Sequence, residues 1–201
     1  LTPNERHKND GRHIEYLSKE RAAAWRHFDP DIYDKLRRII ASGRRTVNAL
    51  EEAMFGENVK YYNARLSDPK DRQTWFQNLK NALNETELLF VDPDNGIEPN
   101  RFDENSKKSI KSATFAEIRA LCQTSRPLVI YHHHTRFRGG HDAEIAHLGQ
   151  KLAKMDIGCV CAVRAKMWSP RVFFIVGGLS DTWVAAEHFA ERWTPHVQFY
   201  P

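Results

Sequence analysis

The chain has 201 residues, of which 41% are hydrophobic and 28% charged, and its formal net charge is +4. That is an ordinary balance for a soluble globular protein and enough chain for one sizeable core. It excludes a membrane-spanning helix, since no apolar run nears the roughly 20 residues one needs, and nothing resembles a secretory signal. The mild positive charge admits an anionic partner such as nucleic acid without requiring one.

Three cysteines, Cys122, Cys159 and Cys161, are odd in number and lack zinc-knuckle spacing. Free thiols in a reducing, cytoplasmic setting are the reading they favour. The chain begins at Leu1 without a methionine, which leaves room for an omitted N-terminal segment.

In chain order, residues 1–28 are polar and loop-like. Asp29-Pro-Asp31 then starts a helix carrying Ile32, Leu36, Ile39 and Ile40 up to Gly43. A second helix is expected from Val47 to Gly56, a short strand at Val59–Tyr62, and a helix over Lys70–Leu83 with Trp75, Phe76 and Leu79 inward. Strand Leu88–Val91, helix Thr114–Cys122, strand Leu128–Tyr131 and helix Asp142–Met155 follow. Strands Cys159–Ala165 and Val172–Val176 flank a short Pro-containing link, so they must be antiparallel neighbours. A helix over Asp181–Trp193 and an edge strand at Val197–Tyr200 close the chain. The expectation is a single α/β domain, with residues 1–56 mostly loop and helices and 57–201 the sheet core. Its sheet is expected to be Rossmann-like, doubly wound and mostly parallel, with a C-terminal antiparallel hairpin.

Two polar clusters sit where strands end. Leu88–Val91 runs into Asp92-Pro-Asp-Asn-Gly96, and Leu128–Ile130 runs into Tyr131-His-His-His-Thr-Arg-Phe-Arg-Gly-Gly-His-Asp142. If the two strands are neighbours, the clusters share one crevice. Asp92, Asp94 and Glu98 supply the oxygen ligands that magnesium or manganese prefers, and His134 could add a nitrogen. Alternation puts His132 and His134 on one side of the strand and His133 on the other. His132, His134 or His141 could act as general base. Arg136 and Arg138 could clamp a phosphate, though a solvated basic loop is their plainer role. Asp142 reads as the N-cap of the following helix and Glu144 as a first-turn carboxylate. Arg164, Trp168 and Arg171 around the hairpin could contact nucleic-acid bases and phosphates; a tryptophan folded over the hairpin is the structural alternative.

The segments VDPDNG, HHHTRFRGGH and RAKMWSPRVFF resemble motifs of a poorly characterised bacterial family. The resemblance covers about the last half of the chain. That family is in turn similar to Rossmann-type methyltransferases, including the three-Cys-motif partner proteins and ribosomal-RNA adenine methyltransferases. It implies an Asp-Pro at a strand tip beside a substrate base, here Asp92 and Pro93, an antiparallel hairpin closing the sheet, and S-adenosylmethionine as cofactor. Asp94 and Asn95 replace the second proline and the aromatic of that motif, and the glycine-rich cofactor loop is absent from these residues.

Three functions follow as expectations. The first is a metal-assisted phosphodiesterase or nuclease acting on nucleic acid, with Asp92, Asp94, His132, His134, Arg136 and His141 catalytic, and Asp92, Asp94, Glu98 and His134 holding the cation. The second is a methyltransferase-like enzyme with S-adenosylmethionine. The third is a non-catalytic module that binds nucleic acid or another anion through the same basic residues.

Overall fold

Asp29 starts the first long helix because its side chain accepts a hydrogen bond from the Ile32 amide at 3.0 Å, with Pro30 in the first turn. In the computed structural model, which describes residues 14–43, 47–53, 58–123, 125–167 and 171–201, the chain divides into units Leu1–Arg65 and Leu66–Pro201. The described residues of the first unit form helices and loops. They include α1 (Ala22–Trp25), α2 (Pro30–Ala41) and α3 (Val47–Ala53). Tyr33 and Ile39 are the buried residues of α2, and the Tyr33 hydroxyl donates to the carbonyls of Tyr16 and Ser18. The expected continuation of α3 through Met54 to Gly56 lies outside the described residues. Val59–Tyr62 belongs to no strand, and Val59 and Tyr61 stay exposed.

The second unit carries the sheet. Its elements are α4 (Arg72–Ala82), β1 (Leu89–Val91), β2 (Gly96–Ile97), β3 (Ser112–Ala113), α5 (Phe115–Leu121), β4 (Leu128–His133), α6 (Gly140–Ala153), β5 (Val160–Ala165), β6 (Arg171–Val176), α7 (Ser180–Arg192) and β7 (Val197–Tyr200). Five strands form one sheet in the order β1-β4-β6-β5-β7, and β2 and β3 make a small parallel ladder beside it.

The α/β class holds, and so does the antiparallel hairpin β5–β6. The mostly parallel, doubly wound sheet does not. Within the five-stranded sheet, among the described residues, only β1 and β4 pair in parallel, whereas β4–β6, β5–β6 and β5–β7 are antiparallel. The reason is the position of β6. The crossover through α6 leaves β5 running in the same direction as β4, but β6 folds back into the space between them. Both contacts of β6 are therefore antiparallel.

One face of the sheet packs on α5 and α6. Leu89, Leu128, Ile130, Val172, Phe174 and Val176 meet Ile118, Leu121, Ile145, Leu148 and Leu152 there, each buried aliphatic contributing about 1.5–3 kcal/mol. On the opposite face Cys161 and Val163 pack with Ala186 of α7, Trp183 and Phe199. No helix among the described residues is long and apolar enough to cross a membrane.

Candidate functional site: a carboxylate beneath three histidines

The burial of β4 alternates along its length, so Leu128, Ile130 and His132 face α6 while Val129, Tyr131 and His133 face the other way. His134 continues the inward row. His132 and His134 are buried and His133 is exposed, as the period-two reading expected. Ending an apolar row with two imidazoles requires a polar floor beneath them.

Glu144 supplies that floor. It lies in α6 four residues before Leu148, on the same buried stripe, and is itself buried. Its carboxylate accepts hydrogen bonds from the Thr135 amide at 3.1 and 3.2 Å, the Thr135 hydroxyl at 2.5 Å and His134 Nδ1 at 2.9 Å, and faces His132 Nε2 at 3.4 Å. Burial alone would push the Glu144 carboxyl up, but the hydrogen bonds from Thr135 and His134 outweigh it and hold it below its ordinary value.

These contacts define the tautomers. A carboxylate only accepts, so His134 carries its proton on Nδ1 and Nε2 is a bare acceptor. His132 Nδ1 accepts the Ile97 amide proton at 3.1 Å, so its own proton sits on Nε2, toward Glu144. Burial lowers the pKa of both imidazoles, with Glu144 opposing. Both shifts favour the neutral rings. His134 Nε2 is shielded from solvent and has no hydrogen-bond partner.

His141, in the first turn of α6, stacks on His134 with centroids 4.2 Å apart and planes 15° apart. Arg164 of β5 donates from Nη2 to His141 Nδ1 at 3.2 Å. Its Nη1 reaches Asp142 at 2.8 Å and the Tyr200 hydroxyl at 3.2 Å, and that hydroxyl donates to Asp142 at 2.5 Å. Arg164 Nε is buried and without a partner. Asp142 is not the helix cap expected of it. Gly139, with φ of 99°, takes the N-cap position, and Asp142 turns to Arg164 and Tyr200 of the sheet, which hold its pKa down.

The two strand-end clusters do meet, through backbone. Gly96 packs so close to His132 that a Cβ there would lie 2.4 Å from the imidazole Nδ1 and 2.7 Å from the His132 Cα. Its φ of 83° also suits only glycine without strain. That approach is what lets the Ile97 amide reach the ring.

The carboxylates of the first cluster go elsewhere. Asp92, just past β1, is half-buried beside Tyr131 and Arg171. Burial raises its pKa, and Arg171 works against the rise. Asp94 pairs with Lys111 at 2.6 Å. Glu98 is raised by burial, against a hydrogen bond from the Phe115 backbone and the charge of Lys151. Of the three acids, Asp94 is the one held in an ion pair among the described residues, and no group of three His, Cys, Asp or Glu side chains among those residues could hold a metal ion. Asp92, Asp94, Glu98 and His134 are not brought into one ligand set, and they do not fit a shared magnesium or manganese ion.

Arg136 and Arg138 are exposed in the loop after the histidines, and Arg171 is exposed opposite His133. Trp168 lies outside the described residues. Burial pushes the Cys122 thiol up to about 11 and Cys161 up to about 12, so neither is a nucleophile near neutrality. Thr135, Tyr200, the Ile97 amide and the buried role of Glu144 escaped the sequence reading, although the spacing from Glu144 to Leu148 was a usable signal for the last. Comparisons with family models, curated proteins and solved structures find no match to this chain.

Proposed function

We propose that the protein cleaves phosphodiester bonds in nucleic acid by general-base catalysis, with His134 as the base. The observation that carries this reading is the state of its imidazole. Nδ1 is held by the Glu144 carboxylate, while Nε2 is a buried, partnerless acceptor. Such a nitrogen can take a proton from an attacking oxygen, and the carboxylate behind it stabilises the imidazolium that forms. Arg164 and His141 beside it offer donors to the charge developing on a phosphate. The exposed Arg136, Arg138 and Arg171 suit a polyanionic backbone.

The test is cleavage of end-labelled nucleic acid by the purified chain. His134→Ala should lower the rate by about 10²–10⁴-fold, and Glu144→Gln by about 10²-fold or more, because the ring loses its tautomer and its hold. Cleavage by His134→Ala at the wild-type rate, or no cleavage of any nucleic acid, would overturn the reading.

A further inference from the structure

The cluster around His141 contains two buried polar atoms without partners, and they are of opposite kinds. His134 Nε2 is an acceptor, and Arg164 Nε is a donor. His141 touches both residues, stacking on one and accepting from the other. A guanidinium only donates, so the His141 Nδ1 that faces it is an acceptor, and the ring proton sits on Nε2. A ligand that completes the cluster must therefore bring a hydroxyl to His134 and an oxyanion to Arg164 and His141. A phosphodiester alone offers acceptors only and would leave His134 Nε2 unsatisfied.

Resting on His134 as the base, we propose that the substrate is RNA and that the nucleophile is the ribose 2′-hydroxyl next to the scissile phosphate. That hydroxyl and that phosphate are the donor and acceptor the cluster lacks, carried on one nucleotide. A tethered nucleophile also arrives already positioned. This matters here because no set of acidic and imidazole ligands among the described residues gathers to hold a metal-bound water.

In the step, His134 Nε2 takes the 2′-hydroxyl proton, and O2′ forms a bond to phosphorus as the bond from phosphorus to O5′ breaks. O5′ takes a proton from solvent, and His134 returns its proton to solvent. Arg164 Nε–H and His141 Nε2–H donate to the non-bridging oxygens as their charge rises. The products are a 2′,3′-cyclic phosphate and a 5′-hydroxyl end. Because both partnerless atoms are shielded, the incoming phosphate must draw His141 off His134. Arg164 is a positioning residue for that movement as well as a phosphate ligand.

Three labelled oligonucleotides of one sequence separate the possibilities: RNA, its 2′-O-methyl form and DNA. RNA should be cleaved to cyclic-phosphate and 5′-hydroxyl ends, with the other two slower by about 100-fold or more. Arg164→Lys should slow RNA cleavage by about 10-fold or more, since a point charge replaces the fork. DNA or 2′-O-methyl RNA cut within about tenfold of RNA, or products ending in 5′-phosphate, would overturn the RNA assignment and leave the general-base reading standing. No cleavage of any of the three, or RNA cleavage undiminished in His134→Ala prepared identically, would overturn both.

Discussion

Two carboxylates lie near the ends of adjacent strands in this sheet, and their surroundings drive them in opposite directions. Glu144, beneath the inward row of β4, has the less solvent-accessible side chain, and four donor groups hold its pKa below the ordinary value. Asp92, on the side of Tyr131, has the charge of Arg171 nearby, and burial still raises its pKa. Burial raises a carboxylate's pKa unless donors offset it. The difference sets Glu144 apart as the hydrogen-bonded carboxylate, although Asp92 has the more conspicuous place in the sequence.

The largest effect that would break this comparison is at Gly96. In Gly96→Ala the new methyl meets the ring and the backbone of His132, and the residue is strained at a φ of 83°. Stability should fall by about 2 kcal/mol or more, read as a lower denaturant midpoint. An unchanged midpoint would mean that the loop does not press on His132.

Acid sharpens the comparison with an intermediate effect. His132 and His134 have folded pKa values below their ordinary 6.5, so their contribution to stability is complete above that pH. It is lost as pH falls from 6.5 through the folded values, because the unfolded chain binds the protons more readily. Glu144, lowered from 4.5, adds a second loss below that pH with the same sign. The melting temperature should therefore decline from pH 7 to pH 4, and the decline should flatten in a His132→Gln, His134→Gln double variant. A double variant with the wild-type slope would show that these rings do not govern the acid response.

The smallest effect belongs to Asp92. Its raised pKa means that it favours the folded state most below its ordinary 3.8, and that this contribution is lost as pH rises through the folded value. Asp92→Asn should raise the melting temperature at pH 7 by about 2 °C. A fall would show that the attraction to Arg171 outweighs desolvation.

The histidine alternation was legible because a buried strand has a strict period of two, and neither His132 nor His134 could leave the inward row without moving Ile130. The hairpin was legible from the short link between its strands. The insertion of β6 between β4 and β5 was not, because strand order depends on contacts far apart in sequence. Glu144 was misjudged for a different reason. A carboxylate in the first turns of a helix has an ordinary role there, and only its place on the stripe with Ile145 and Leu148 set it apart. Asp92 and its neighbours were read as ligands of one cation, yet among the described residues they are not gathered into one ligand set, and Asp94 turns to Lys111 instead.

The last residues of a strand are where a sheet ordinarily frays, and this chain puts two buried imidazoles there. His132 prevents fraying from two sides, with the Ile97 amide on one edge of its ring and Glu144 on the other. The strand end becomes a fixed mount rather than a loose tip. His134, two residues on, inherits a position that a free loop could not hold so closely.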